Sequence, residues 1–167
     1  MKPHANEYPA YYAKYIDALG DVDLTSVLTS QLHTLTALSS LTEEQALYRY
    51  AEGKWSIKEV LGHLIDCERV FAFRAMSIAR GEQQPLPGFD ENAYVAHASF
   101  DAQPVSHLIE ELISVRHATI TLLRSLTPDE HLRSGVANGN PITVRALFWI
   151  IAGHVKHHAE ILTTRYL

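Results

Sequence analysis

The fold is decided by residues 56–78, which read SIKEVLGHLIDCERVFAFRAMSI. Ser56 and Glu59 have the spacing of a capping box, in which the two side chains satisfy free backbone N–H groups of a first helical turn. Gly81 then supplies a stop signal. Apolar residues recur every three or four positions between these ends, namely Val60, Leu61, Leu64, Cys67, Val70, Phe71, Ala75 and Ile78. The stretch therefore predicts a long amphipathic helix.

Three other segments repeat this helical period, and no segment alternates in the way that a half-buried strand would. They run from Asp21 or Asp23 to about Ser40, from Pro104 or Ser106 to about Thr127, and from Asn140 or Thr143 to about Arg165. Four long amphipathic helices predict an all-α four-helix bundle, because each must bury its apolar stripe against the others. We expect one domain over residues 1–167, with residues 1–20 as an N-terminal segment packed on it.

The connections between these helices differ in length. Residues 81–104, between the second and third long helices, are rich in proline, glycine and polar residues, and loops of this length are often functional. Such a long connection permits a crossover, so these two helices need not be antiparallel neighbours. We expect short helical turns near residues 11–18 and at Thr42, and a turn-rich loop over residues 135–141.

The overall composition argues against several functional classes. The chain is 47% apolar and 20% charged, which is ordinary for a globular protein with its own core. A net charge of -5 without a cluster of Lys and Arg argues against nucleic-acid binding. We find no signal peptide and no run of about 18 apolar residues that would predict a membrane span. The single cysteine, Cys67, permits no internal disulfide, so we expect a cytoplasmic protein.

His154 and His158 are the first candidates for chemistry. They stand four positions apart, so both rings project from one face of the last helix, one turn from each other. Both fall inside the apolar stripe of that helix, whereas His157 falls on its flank. His63 lies at the edge of the stripe of the earlier helix, a position that suits the lining of a cleft. A third imidazole from that helix would complete three nitrogen ligands and leave a metal ion with an open position.

Other polar and titratable residues have simpler interpretations. Cys67 stands on an apolar face, where a cysteine is more often a small buried side chain than a ligand or nucleophile. Asp66 could accept a hydrogen bond from an imidazole N–H or pair with Arg69 or Arg74. We interpret Glu68 and Glu160 as solvated charges. The remaining histidines are interpreted as surface or satisfied core residues, namely His4, His33, His97, His107, His117 and His131.

Three stretches in this order resemble the DinB family, the DinB/YfiT-like metalloenzymes. They are residues 54–66 (KWSIKEVLGHLID), residues 85–94 (PLPGFDENAY) and residues 150–166, and the resemblance extends from about residue 20 to the end of the chain. It implies a four-helix bundle with up-down-down-up topology. It also implies a divalent metal ion, often nickel or zinc, held by one histidine of the second helix and a His-x-x-x-His pair of the last. In this sequence those ligands are His63, His154 and His158.

The resemblance also bears on function, because family members are commonly homodimers and some transfer low-molecular-weight thiols. We therefore expect a homodimeric, metal-dependent enzyme of the thiol-transferase or hydrolase type, acting on a small-molecule substrate or a thiol. Asp66, Asn92 and Tyr94 are candidate catalytic residues that would orient water or substrate, and residues 89–94 could roof the pocket.

Two alternatives remain open from the sequence. One is a non-catalytic bundle stabilised by its metal, in which Cys67, Asp66 or His157 fills a fourth ligand position. The other is a stress-linked protein that binds a small ligand in the metal pocket without turnover.

Overall fold

The computed structural model describes residues 1–167 as eight α-helices, four short 3-10 turns and one two-stranded sheet. The α-helices are α1 (Ala13–Leu19), α2 (Leu24–Ala37), α3 (Glu43–Ala46), α4 (Ile57–Ala79), α5 (Glu91–His97), α6 (Val105–Ser125), α7 (Pro128–Leu132) and α8 (Val144–Arg165). The strands are β1 (Ser134–Ala137) and β2 (Asn140–Thr143), and the 3-10 turns are Ala5–Glu7, Ala10–Tyr12, Leu38–Ser40 and Phe100–Ala102. The four longest helices, α2, α4, α6 and α8, form the predicted bundle.

Side-chain caps begin three of these four helices. Asp23, Ser56 and Thr143 each accept a hydrogen bond from the backbone N–H three residues further on. Such caps stabilise a helix because its first turn has N–H groups without intrahelical acceptors. Helix α6 has no side-chain cap of its own, and Glu43 of α3 instead accepts a hydrogen bond from the N–H of Val105 at 3.0 Å.

The long helices run up, down, down and up in chain order. Helices α4 and α8 are antiparallel, because the hydroxyl of Tyr166, just after α8, donates to the carbonyl of Trp55, just before α4. Helices α4 and α6 are parallel, because Lys58 in the first turn of α4 donates to the carbonyl of Gln103, just before α6. Residues 80–104 must therefore travel back along the bundle, as the length of this connection predicted. The topology is the one that the family resemblance implied.

Residues 134–143 form a β-hairpin, where the sequence interpretation expected only a turn-rich loop. Strands β1 and β2 pair in antiparallel register around Asn138 and Gly139. These two residues have φ angles of 50° and 73°, the left-handed conformations that a two-residue hairpin turn requires. The Asn-Gly dipeptide was the available signal. Backbone hydrogen bonds of Leu86 with Val136 and Asn138 fasten the crossover to this hairpin.

A buried polar network connects all four helices of the bundle. Arg116 of α6 donates two hydrogen bonds, both of 2.8 Å, to the carboxylate of Glu68 on α4. It also donates to Oε1 of Gln31 on α2, at 2.5 Å, and Nε2 of Gln31 donates to the carbonyl of Ala152 on α8, at 2.8 Å. Glu68 is only 2% exposed, so its interpretation as a solvated charge was wrong. Its carboxylate faces α6, and the network it joins links α4 to α8 through α6 and α2.

Two clusters of buried apolar side chains surround this network. One contains 25 buried residues and lies around the first half of α8, and the other contains 15 and lies around the first halves of α4 and α6. The long helices carry polar as well as apolar side chains. No helix of the chain has both the length and the apolar character needed to cross a membrane.

The N-terminal segment lies against α8, where it completes the surroundings of the site. Helix α1 packs on α8, and Nζ of Lys156 donates to the carbonyl of Ala18 at 2.6 Å. A Cβ atom at residue 153 would lie 2.1 Å from the carbonyl oxygen of Tyr15, so glycine at Gly153 is what allows this close approach. The approach sets the Tyr15 ring beside His154, with ring centroids 5.4 Å apart.

Candidate metal centre

The three histidines predicted as ligands converge where α4 passes α8. One nitrogen from each of His63, His154 and His158 lies within 4.8 Å of the other two. The Nε2 atoms of His63 and His154 are 3.1 Å apart. His154 and His158 come together because they are one turn apart on α8, and the antiparallel neighbour α4 contributes the third ring.

This donor set fits a divalent cation. Two nitrogens bound to one tetrahedral zinc ion at about 2.0 Å lie about 3.3 Å apart, close to the observed spacing of His63 and His154. Nδ1 of His158 is buried and has no hydrogen-bond partner. Buried polar atoms without partners are uncommon in folded proteins, because they lose their hydration and gain nothing in return. A bound ion would remove the need for such a partner, and imidazole nitrogens suit zinc, nickel, copper and iron.

Burial keeps all three rings in their neutral form at pH 7. The loss of hydration lowers the pKa of His63 to about 4 and the pKa of His158 to about 3. Burial, followed by repulsion from the charges that His158 and His63 would carry, lowers the pKa of His154 well below its usual value. A neutral imidazole offers a free lone pair, so the cluster can bind a cation without first releasing protons.

Two neighbouring side chains lie against the His63 ring. The Trp55 ring lies 4.8 Å from the His63 ring, centroid to centroid. Sγ of Cys67 lies 3.5 Å from Nδ1 of His63, one helical turn away on α4. Burial raises the pKa of Cys67 to about 12, so this group is a thiol rather than a thiolate at neutral pH. Cys67 is therefore a small buried side chain beside the cluster, as the sequence indicated.

The cluster forms one wall of an open cavity of about 570 Å³. His157 lies at its rim, half-buried, as the helical wheel predicted. Phe89 and Glu91 of the crossover also line this cavity, so part of the predicted roof is in place. The remaining polar lining comes from residues that the sequence reading did not select, namely Tyr11, Tyr12, Tyr15, Arg74, Asn138 and Asn140.

The structure places the three predicted catalytic residues elsewhere. Asp66 does not line the histidine cavity, and its charged neighbours are Arg69 on α4 and Glu111 on α6. Burial raises its pKa, and no arginine or histidine nitrogen lies within 4.0 Å of its carboxylate. Asn92 lines a smaller cavity of about 250 Å³, to which His158 and Trp55 also contribute. The catalytic role of Asp66 and Asn92 stays a prediction.

Tyr94, the third of these residues, is 48% exposed and packs on the Phe89 ring at a centroid distance of 5.2 Å. It does not line the histidine cavity either.

Arg74 does line the histidine cavity, and the sequence could have revealed it. It stands eleven positions after His63, which corresponds to a rotation of only about 20° around the helix axis.

Comparisons with known proteins agree with this picture. Residues 14–162 match the sequence model of the DinB superfamily. A protein of Geobacillus thermodenitrificans named "Putative metal-dependent hydrolase" is 30% identical over 137 residues, which cover 77% of this chain and 74% of the relative. A protein of Oceanobacillus iheyensis with the same kind of name is 25% identical over 123 residues, covering 72% and 70% of the two chains.

A solved structure shares the fold. YfiT from Bacillus subtilis, described as having an unusual four-helix bundle topology, superposes with a TM-score of 0.72 at 22% sequence identity. The match covers 98% of this chain and 90% of YfiT. At this level of identity the likeness establishes the architecture alone.

Proposed function

The chain belongs to the DinB superfamily, and from that membership and the histidine cluster we propose that it is a metal-dependent enzyme of the hydrolase type. Its metal ligands would be His63, His154 and His158. The observation that carries the proposal is the convergence of three neutral imidazoles, two buried and one half-buried, at the wall of an open cavity. The names of the relatives support the same class of reaction.

The ligand count favours catalysis over a structural role. Structural zinc sites usually have four protein ligands, whereas catalytic sites have three and keep one position open. Sγ of Cys67 lies beside His63, but it does not belong to the group of donor atoms that all lie within 4.8 Å of one another. A divalent ion bound by three imidazoles supplies Lewis-acid chemistry and lowers the pKa of water at its open position. We propose nickel or zinc as that ion, because the family resemblance implies these two metals and both accept imidazole ligands.

The side chains around the cluster would position it and shield it. Packing of Trp55 on His63 and of Tyr15 on His154 restricts rotation of the two rings, which keeps their nitrogens aimed at one point. The phenol groups that line the cavity can donate hydrogen bonds to a substrate. The amides of Asn138 and Asn140 on the hairpin, which also line the cavity, can do the same.

Elemental analysis of the purified protein tests the metal assignment. We expect about one divalent ion per chain and its loss in each of the variants His63→Ala, His154→Ala and His158→Ala. His157→Ala is the matched control, because it changes a half-buried histidine of the same helix that is not in the cluster. Full retention of the ion in His154→Ala would refute the assignment.

Activity assays then test the reaction class. The metal-loaded protein should hydrolyse members of a panel of esters and amides, lose that activity with a chelator, and regain it when the ion is restored. A thiol plus an electrophile belongs in the same panel, because metal-dependent turnover there would assign the protein to thiol transfer.

X-ray absorption spectroscopy distinguishes an enzyme from a structural metal site, because it identifies the atoms bound to the metal. Three nitrogens and a light solvent ligand support an enzyme, whereas a sulfur ligand from Cys67 contradicts it.

A further inference from the structure

We propose that Arg74 binds a carboxylate of the substrate, so that the cavity selects extended molecules with a negative charge at one end. The proposal deepens the proposed function, since it takes the histidine cluster as the reaction centre. Arg74 lies on α4, lines the same cavity as the cluster, and is only 3% exposed.

The charge of Arg74 has no acidic partner. Nη2 donates one hydrogen bond of 2.7 Å to the carbonyl of Pro87, and no carboxylate oxygen lies within 4.0 Å of the guanidinium. Arg116, the other fully buried arginine, is bound instead by both oxygens of Glu68. A buried charge without a counter-charge is costly, because it has lost its hydration. Arg74 bears this cost within a cavity that is open to small molecules.

The neighbours of Arg74 do not supply a negative charge. The rings of Phe71 and Phe89 lie 5.7 Å from its Cζ atom, and the attraction of a cation to their faces compensates only part of the lost hydration. Tyr12 and Cys67 are the polar groups beside it, and neither is a carboxylate. No acidic group therefore compensates the charge of the guanidinium within ion-pair distance.

Glu91 is the one acidic side chain that lines this cavity, and it lies beyond ion-pair distance from Arg74. It sits in the first turn of α5. A carboxylate from a ligand can approach Arg74 more closely, because the hydrogen-bonding neighbours of the guanidinium are only the Pro87 carbonyl and the neutral Tyr12 hydroxyl. The planar guanidinium matches the geometry of a carboxylate, which accepts two parallel hydrogen bonds from it.

The spacing along α4 sets the shape of the ligand. Arg74 and His63 point in nearly the same direction, and their Cα atoms are about 16 Å apart along the axis at 1.5 Å per residue. Arginine side chains in helices lean toward the N-terminus, which brings the guanidinium closer to His63. A ligand that reaches both would hold its carboxylate at Arg74 and its reacting group at the histidines.

Monohydroxamates of straight-chain dicarboxylic acids are suitable probes, because the hydroxamate binds the metal and the far carboxylate reaches Arg74. Each probe is compared by titration calorimetry with the same molecule carrying a terminal carboxamide. We expect the metal-loaded protein to bind the carboxylate form roughly 10- to 100-fold more tightly at one preferred chain length. Equal affinities at every chain length would overturn the proposal.

Substitutions assign this preference to one residue. Arg74→Met should abolish the preference for carboxylate and leave binding of the carboxamide probe unchanged. Arg124→Met is the matched control, since Arg124 also lacks an acidic partner but is exposed and outside the cavity. Glu91→Gln tests the competing counter-charge, and it should preserve or strengthen the preference. Persistence of the full preference in Arg74→Met would refute the assignment.

The melting temperature of Arg74→Met distinguishes a role of Arg74 in substrate recognition from a purely structural role. If Arg74 serves only to fasten Pro87, Arg74→Met should lower the melting temperature and leave any carboxylate preference intact. If it serves recognition, the melting temperature should stay the same or rise, because an unpaired buried charge has been removed. Should the methionine variant fail to fold, Arg74→Gln keeps a donor for Pro87 and removes the charge, and the same loss of preference is expected.

The two proposals fail in different ways. Probes that bind equally well with and without metal would contradict the metal assignment. In that case the comparison of carboxylate with carboxamide in the metal-free protein still tests Arg74. Metal-dependent binding without a carboxylate preference would leave the histidine site intact and refute the role of Arg74 alone.

Discussion

Replacing Glu68 by glutamine should strongly destabilise the protein. The substitution keeps the size of the side chain and removes its charge, which leaves the guanidinium of Arg116 buried with a neutral partner. Both groups are almost fully buried, Arg116 at 0% and Glu68 at 2% exposure, so water cannot replace the lost interaction. Breaking a buried ion pair by removing one partner costs about 3–5 kcal/mol of the free energy of unfolding. For a chain of this size that corresponds to a fall in melting temperature of roughly 6–20 °C.

A surface pair on the same two helices is the matched control. Arg69 of α4 and Glu111 of α6 are 2.7 Å apart, with side chains 52% and 34% exposed. Glu111→Gln should change the free energy of unfolding by less than about 1 kcal/mol, because solvent screens the interaction. Urea unfolding of both variants, followed by circular dichroism, measures the two costs. Similar costs for the two substitutions would refute the argument that burial makes the Glu68 pair important.

Glu68→Gln should also weaken metal binding, although Glu68 does not touch the histidines. The network runs from Glu68 through Arg116 and Gln31 to the carbonyl of Ala152, two residues before His154. Loosening it allows α4 to shift against α8, which moves His63 relative to the other two ligands. Titration of the metal-free variant with zinc at a temperature where it is folded measures this effect. Unchanged affinity would show that the register of the helices does not depend on the network.

Three further predictions follow from the site and its surroundings. On acidification from about pH 6.5 to about 4, the free energy of unfolding of the metal-free protein should fall by on the order of 3 kcal/mol through His63 alone. The reason is that the unfolded chain takes up a proton in this range, whereas the buried ring, with its pKa lowered to about 4, does not. His63→Gln should flatten the dependence of urea midpoints on pH, and an unchanged slope would contradict the assigned pKa. Gly153→Ala should lower the free energy of unfolding by about 1–3 kcal/mol and loosen the packing of α1, because its Cβ would meet the Tyr15 carbonyl. A melting temperature equal to that of the wild type would disprove that contact. Asp66→Asn should leave the metal content unchanged, because Asp66 neither belongs to the group of three donor residues nor lines their cavity. Loss of the ion in this variant would show that Asp66 contributes to the site.

Local sequence patterns determined the helices and most of the candidate metal site. Capping residues such as Ser56 and Thr143 act within one helical turn, so their spacing along the chain is sufficient to locate a helix start. The pairing of His154 with His158 depends on the same short-range geometry. The Asn-Gly turn at residues 138 and 139 was equally local, and the hairpin could have been predicted from it.

Only the tertiary structure decided which side chains face one another across helices. A helical wheel gives the direction of Glu68, Asp66 or Arg74 on α4, but it does not say which neighbour lies opposite. The partner of Glu68 is 48 residues away in the chain, and the neighbour of His63 on α8 is 91 residues away. Burial, pKa and the presence or absence of a counter-charge all depend on such distant contacts. For that reason the paired state of Glu68 and the unpaired state of Arg74 became visible only once the helices were packed together.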